Sequence, residues 1–331
     1  MKKTVLSGIR PTGNLHLGNY YGALVNFVKM QNEHNCFFFI ADWHSLTTHP
    51  DPKMLHTNVK NVLSEYLACG LDPEKSTIYV QSDVPEIAEL YLLLNMQAYL
   101  GELEKTVSFK DKARKNPNNV NAGLLTYPVL MATDILIHNA DYVPVGKDQE
   151  QHLEMTRNYA QRFNSKYAVD FFTLPTPFIL GQNLIKIPGL DGSGKMGKSE
   201  GNAIYLVDEP KVIEKKVKSA LTDNGPEGQN LPKPDYIENL FTILKVVSEQ
   251  QTVDYYEDLW GRGEQRWYGS LKKQLAEDII KVTSPIREKI NDIKGNNEFL
   301  QKVTAQGAEK ARESAAKTLK EVRQIMGFKK F

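Results

Sequence analysis

Apolar and polar positions switch between two periods over the first 80 residues. TVLSGI (4–9) reads as a strand. Tyr20, Ala23, Leu24, Phe27 and Val28 then recur at helical spacing over residues 19–33. FFFIAD (37–42) is a continuous apolar run, suited to a strand covered on both faces. Asp51-Pro52 starts a helix whose buried stripe is Leu55, Val59, Val62, Leu63, Tyr66 and Leu67, with Gly70 free to take the left-handed position after its last turn. STIYVQS (76–82) is a third strand. Strand–helix–strand–helix–strand predicts an α/β fold with a parallel sheet and right-handed crossovers, and such sheets bind ligands at the carboxyl ends of their strands.

Further along, EIAELYLLLNMQAYL (86–100) is apolar nearly all round. It reads either as a fully buried helix or as one covered partly by a second subunit. TVSFKDKARKNPNNVN (106–121) is polar and reads as a mobile connection, and helices are expected at 123–139 and 148–163. Strand signals fade from about residue 208, which puts a boundary near residue 206 before a wholly helical part.

Composition narrows this picture. A chain of 331 residues with 41% apolar positions can bury a sizeable core and is expected to form two domains. A net charge of +1 gives no global field for a polyanion, so any such ligand must be held by local patches. The two cysteines, Cys36 and Cys69, form no CxxC motif and point away from a disulfide framework or structural metal. The basic start MKKTVLSGIRP lacks an apolar stretch of signal-peptide length, and no run nears the roughly 20 residues of a membrane span. A soluble cytoplasmic protein is expected.

The chemistry concentrates in two distant stretches. SGIRPTGNLHLGNYYGA (7–23) lies where the first strand gives way to a helix. A helix starting near Gly18 aims its positive end and unpaired N–H groups at the strand's carboxyl edge, which makes an anion site. His16 and Asn19 add donors without fixed charge at neutral pH. The spacing matches neither G-x-G-x-x-G nor a P-loop. DGSGKMGKSEGN (191–202) sets two lysines three apart in a flexible loop able to follow charge on a polyphosphate. Either stretch alone could be an ordinary turn or a solvated loop; the pair argues for a reacting nucleotide.

HLGN (16–19) resembles the HIGH motif and KMGKS (195–199) the KMSKS motif of class I aminoacyl-tRNA synthetases. Within that class the chain is similar to the bacterial-type tryptophanyl family, through the opening segment, ADWHSLT (41–47), GELEKTVSFKDK (101–112), GLLTYPVLMATDIL (123–136), VPVGKDQEQHLEMTRNYAQRFN (143–164) and GAEKARESAAKTL (307–319). The resemblance implies a Rossmann-like catalytic domain over residues 1–206, with a connective insertion at about 84–122 that carries dimer contacts, and a C-terminal α-helical domain over 207–331 that binds the tRNA anticodon. It implies ATP-dependent activation of L-tryptophan with release of pyrophosphate, then transfer to tRNA(Trp) by a homodimer, with no membrane or DNA partner. Mg²⁺ is expected to arrive with ATP, and no resident metal is expected.

By the same resemblance His16, Asn19, Lys195 and Lys198 are catalytic. Arg10, Pro11, Thr12, Gly18, Gly146, Lys147, Asp148, Ile185, Met196, Gly197 and Ser199 are implied around ATP, with Ile185 and Met196 enclosing the adenine. Asp134 interrupts the apolar run YPVLMATDILI, and the pattern alone leaves open a surface aspartate, one paired with arginine, or a buried acceptor. The resemblance assigns it to the indole N–H of tryptophan, in a pocket with Tyr127, Met131, Gln149, His44 and Leu6. Gly197 stands where serine is usual, and Arg10 and Trp43 where glutamine is common. Tyrosyl-tRNA synthetases and a non-catalytic RNA-binding paralogue are the rival readings. ATDIL and DQEQHLEMTR weigh against the first, and intact His16, Lys195 and Lys198 against the second.

Overall fold

The alternation of side chains along the strands builds two cores, one on each face of a sheet. The computed structural model describes residues 2–146, 149–178, 186–198 and 200–328. Among these, β1 (Thr4–Ile9), β2 (Asn35–Ile40), β3 (Ser76–Val80), β4 (Tyr142–Val143) and β5 (Thr176–Pro177) form one parallel sheet in the order β3-β2-β1-β4-β5. β1 and β2 pair from Thr4↔Asn35 to Ile9↔Ile40, whereas β1 and β4 meet at Val5↔Tyr142. Val5, Cys36, Phe38 and Ile78 pack into one cluster, and Leu6, Phe37, Phe39 and Tyr79 into the other.

The crossover after β1 begins with α1 (Leu17–Asn19), passes through a π-helical turn at Tyr20–Leu24 and continues as α2 (Val25–Glu33). A short α3 (Asp42–Ser45) follows β2, and then α4 (Pro52–Ala68). Asp51 caps α4 by accepting the Lys53 and Met54 N–H groups, both at 3.0 Å. Gly70 takes the positive φ that ends this helix. After β3 come α5 (Glu86–Asn95), α6 (Leu100–Glu104), α7 (Val107–Lys115), α8 (Ala122–Ile137) and α9 (Glu150–Tyr167).

Residues 106–121 depart from the sequence expectation: most of them form α7 and a 3₁₀ turn at Pro117–Asn119. The Val107 N–H donates to Gln151 Oε1 at 3.1 Å, and Ser108 and His152 bond at 2.9 Å. Partners on α9 hold a helix whose own composition shows no apolar stripe. The apolar segment 86–100 is only half covered: Ile87, Leu90 and Leu94 are buried, while Leu92 (51%), Met96 (74%), Tyr99 (62%) and Leu100 (59%) are exposed.

From Pro210 onward every described element is a helix: α10 (Pro210–Lys218), α11 (Asp235–Val247), α12 (Gln250–Gly261), α13 (Tyr268–Gly295) and α14 (Asn297–Ile325). These helices share their cores with the sheet. Ile213, Phe241 and Ile279 belong to the cluster on one face, and Ala311, Ala315 and Val322 of α14 to the cluster on the other. α14 lies back along β3, the outer strand on that side of the sheet, and covers it. Arg323 Nε donates to Glu89 Oε1 at 2.6 Å, and His138 Nδ1 lies 3.0 Å from Ser314 Oγ.

The approach of α14 to the sheet depends on Gly307. A Cβ there would stand 1.7 Å from the Ile78 carbonyl oxygen. Gly307→Ala should therefore push the helix off the strand and destabilise the fold by about 1–3 kcal/mol or more. Thermal or denaturant unfolding of the variant checks this, and an unchanged midpoint would contradict the packing described.

Candidate active site

The carboxyl ends of β1 and β4 open into a cavity of about 790 Å³. Tyr127, Met131 and Asp134 sit at i, i+4 and i+7 on α8 and line it together. Asp134 is 1% exposed. Its Oδ2 lies 2.8 Å from His44 Nε2, and its Oδ1 accepts from Gln81 Nε2 at 2.7 Å. Burial pushes its pKa up, and the bonds from His44 and Gln81 oppose that rise. Of the three readings the pattern left open, the structure has a buried acceptor, held by a histidine and an amide. A carboxylate oxygen takes more than one hydrogen bond, so acceptor capacity remains for a ligand.

A second network orders the opposite wall. Tyr127 Oη donates to Ser108 Oγ at 2.5 Å and lies 2.8 Å from His152 Nε2. His152 Nδ1 lies 2.9 Å from Gln149 Oε1, and a proton on Nδ1 leaves Nε2 as an acceptor for the Ser108 hydroxyl. The Lys112 ammonium sits over the Tyr127 ring, 3.9 Å from its centroid.

Three cations gather where this cavity meets the start of α1, with Asp111 on the cavity lining and Glu65 near Lys198 as the acidic groups close to them. Arg10 and Lys112 line the cavity, and neither makes an ion pair among the described residues. Arg10 Nε is buried and lacks a hydrogen-bond partner there. Burial, reinforced by Arg10, draws the Lys112 pKa down to about 8. Burial and Arg10 likewise lower Lys198 to about 8, against a contrary pull from Glu65. A partly buried cluster of mainly cationic donors suits an anion.

The two distant motifs meet each other beside the cavity, whose lining does not include His16, Asn19, Lys195 or Lys198. The Leu17 N–H donates to the Ile204 carbonyl at 3.0 Å and the Leu206 N–H to the Leu15 carbonyl at 2.9 Å, framing an antiparallel bridge between His16 and Tyr205. Lys198 Nζ donates to the Gly13 carbonyl at 2.6 Å. The His16 N–H donates to Asn19 Oδ1 at 3.1 Å, which leaves the Asn19 amide nitrogen as the end able to donate to a ligand. His16 Nδ1 is buried with no partner among the described residues. Burial, then Lys198 and Lys195, draws the His16 pKa down to about 4, so at neutral pH the ring is an uncharged donor.

The lysine loop is more ordered than its composition suggests. Asn202 is buried, its Nδ2 within reach of Asp191 Oδ1 (3.0 Å), Ser193 Oγ (2.8 Å) and the Lys195 carbonyl (3.2 Å). Its Oδ1 accepts the Gly197 N–H at 2.9 Å. Gly189 makes room for this hub, since a Cβ there would fall 2.2 Å from Asn202 Nδ2.

Leu6, His44, Tyr127, Met131, Asp134 and Gln149, expected to share a pocket, all line the cavity, as do Arg10 and Gly146. Pro11 is buried and Thr12 exposed in the turn that follows, and Lys195 is exposed beside the corner. Met196 has its side chain 1% exposed in the core, and its N–H is bonded to the Ile187 carbonyl at 3.0 Å. Behind Gly18 stands Met196, 3.6 Å from where a Cβ would be. Lys147, Asp148, Ile185 and Ser199 lie outside the described residues. Sequence reasoning missed Gln81, Lys112, Ser108 and His152. Gln81 directly follows β3, and the strand-end rule could have found it; Lys112 was hidden in a stretch read as irregular.

Comparison with known proteins places these features in a wider group. The profile of the family described as tRNA synthetases class I (W and Y) matches residues 2–284. The chain is 64% identical to the tryptophan–tRNA ligase of Porphyromonas gingivalis over 327 residues, which span 99% of this chain and 100% of that protein. It is 42% identical to the tryptophan–tRNA ligase of Bacillus subtilis over 338 residues, 99% of this chain and 98% of that one. Its structure resembles tryptophanyl-tRNA synthetase from Campylobacter jejuni, complexed with ADP and tryptophan, at TM-score 0.87 and 34% identity, covering 98% of this chain and 100% of the other.

The environment of His16 has a measurable consequence. Its folded-state pKa lies at about 4, below the ordinary value of 6.5, so the unfolded chain binds the proton more readily. The stabilising contribution of the neutral ring is complete above 6.5 and is lost as pH falls from 6.5 toward 4. The His16 ring resonances, assigned with a His16→Asn variant, should stay flat between pH 8 and 5.5; a midpoint near 6.5 would contradict the buried setting.

Proposed function

Because the chain belongs to the class I tRNA synthetases of the tryptophan and tyrosine type, we infer that it joins L-tryptophan to its tRNA in two steps. In the first, a tryptophan carboxylate oxygen attacks the α-phosphorus of ATP, the bond to the bridging oxygen breaks, and pyrophosphate leaves. In the second, a hydroxyl at the tRNA 3′ end attacks the adenylate carbonyl and AMP leaves. The observation that carries this reading is one cleft with two chemically unlike halves: a buried carboxylate acceptor at Asp134 and unpaired cations around Arg10.

Asp134 accepts the indole N–H, with Tyr127, Met131, Gln149, His44 and Leu6 around the ring. Phenylalanine would leave the buried acceptor unpaired, and sites of this kind reject such analogues by about 10⁴–10⁵. A tyrosine-specific reading is not favoured, since the long, highly identical relatives are tryptophan–tRNA ligases.

Neither step needs a covalent enzyme intermediate; positioning and charge stabilisation carry the rate. Neutral His16 and the Asn19 amide donate to phosphate oxygens. Lys195 and Lys198 follow the charge as it moves onto pyrophosphate, and Arg10 and Lys112 hold the anion from the cavity side. Pro11, Thr12, Gly18 and Gly197 shape the nucleotide's approach, with Gly146, Lys147 and Asp148 at the ribose and Ile185 and Ser199 completing the enclosure. Mg²⁺ enters with ATP as a charge neutraliser on its phosphates.

The helical part, 207–331, recognises the tRNA anticodon through splayed bases. The exposed apolar run Leu92, Met96, Tyr99 and Leu100 supports a homodimer with a second copy seated on that face. Among the described residues no helix is long and apolar enough to cross a membrane, and the enzyme works in the cytoplasm.

ATP–pyrophosphate exchange against a panel of amino acids tests the reading. Exchange with tryptophan is expected, and exchange with tyrosine in its place, or with none, would overturn it. Asp134→Ala should raise the tryptophan KM by about 100-fold or more, in keeping with loss of a buried polar partner, while the ATP KM stays near normal. A second expectation concerns pH. Lys112 and Lys198 both lose their protons near pH 8 in the free enzyme. The ATP KM should therefore rise above pH 8, and Lys112→Arg should blunt that rise; a KM flat to pH 9.5 would be the contrary result.

A further inference from the structure

A buried acid supports the phosphate corner from below. α4 presents Asn61 and Glu65, one turn apart, to the turn that leads into His16. Glu65 is 0% exposed, and both of its carboxyl oxygens lie 3.1 Å from the Leu15 nitrogen. Asn61 Nδ2 donates to Asn14 Oδ1 at 3.0 Å. Leu15 is itself fully buried, and its carbonyl is taken by the Leu206 N–H. The backbone just before His16 is thus gripped from both sides, and the same turn supplies the Gly13 carbonyl on which Lys198 rests.

An acid at this position is costly. Its neighbours on α4, Val62, Leu63 and Tyr66, are core residues, and an apolar side chain would fill the space without a polar group to desolvate. What an apolar side chain could not do is accept the Leu15 N–H. Burial raises the Glu65 pKa to about 8 against contrary pulls from the Leu15 N–H, Lys198 and Lys294, so near neutrality it is largely an uncharged carboxyl group. The bond, rather than a fixed negative charge beside the phosphate site, is then its contribution.

We propose that Glu65 is a positioning residue of the activation step, holding the Gly13–Leu15 turn so that His16 stays aimed at the phosphates when Lys198 leaves the Gly13 carbonyl to engage ATP. This rests on the reaction inferred above, and the unaltered enzyme reports on that separately. Failure of tryptophan-dependent exchange in the unaltered enzyme refutes the reaction; exchange untouched by the substitutions below refutes only the role of Glu65.

The test compares Glu65→Met with Glu65→Gln. Methionine fills a similar volume, and replacing a buried ionisable group by an apolar one is often neutral for stability, but it leaves the Leu15 N–H without an acceptor. Exchange kcat should fall about 10-fold or more, since misplacement of about 1 Å can cost 10²-fold, with tryptophan KM unchanged and unfolding still cooperative. Glutamine keeps a neutral acceptor and should restore kcat to within about threefold, less than one hydrogen bond's worth of barrier. A Glu65→Met kcat within twofold of the unaltered enzyme, a parallel loss of tryptophan affinity, or a Glu65→Gln as slow as Glu65→Met would each overturn the proposal. Should Glu65→Met fail to fold, Asn61→Leu decides: it frees Asn14 from the same grip, and kcat should drop severalfold at constant tryptophan KM. An unchanged kcat there overturns the proposal.

Discussion

The antiparallel bridge between residues 15–17 and 204–206 is the contact on which the site depends. Two hydrogen bonds, from Leu17 to Ile204 and from Leu206 to Leu15, join segments nearly the length of the sheet domain apart. With them, His16 meets the edge of Tyr205, with ring centroids 6.4 Å apart, and Lys198 reaches the Gly13 carbonyl. Tyr205 is held in turn: its N–H donates to Asp208 Oδ2 at 2.8 Å, and Lys216 bonds Asp208 at 2.6 Å. The bridge is therefore anchored to α10, the first helix beyond the sheet domain.

Electrostatics at the corner follow from that convergence. Bringing Arg10, Lys112 and Lys198 together in partly dry surroundings lowers the proton affinity of the lysines and keeps His16 neutral. Like charges brought this close in partly buried surroundings are mutually unfavourable. Asp134 faces the complementary problem. Its burial is tolerable because His44 and Gln81 satisfy it, and both come from the strand ends, β2 and β3, that also border the cavity. Tyr127 and Met131 of α8 line the same cavity as both groups.

The C-terminal helices belong to the same packing unit as the sheet. α14 closes the β3 side through Gly307, and α13 packs on α4, the helix that carries Glu65. Arg287 of α13 donates to the Asp208 carbonyl at 3.1 Å, next to the segment that carries Tyr205. A C-terminal helix thus touches both supports of the His16 corner, α4 and the Asp208 turn.

Much of this was legible in the chain by itself. Local rules sufficed for β1, β2, β3 and the helices between them, because periodicity, the Asp51 cap and Gly70 act within a few residues. HLGN and KMGKS stood out as a pair of glycine-rich stretches carrying histidine, asparagine and lysine, and Asp134 stood out as a polar break in an apolar run. β4 and β5 escaped because two paired residues carry no periodicity, and α7 escaped because partners on α8 and α9, rather than an apolar stripe, hold it. The partners of Lys112, His152 and Glu65 could not be read, since each depends on what stands opposite. Local propensity and chemistry are written in the order of residues. Which donor meets which acceptor across the cleft was decided only when the chain closed on itself, because hydrogen bonds and fields act over ångströms in space and are indifferent to distance along the sequence.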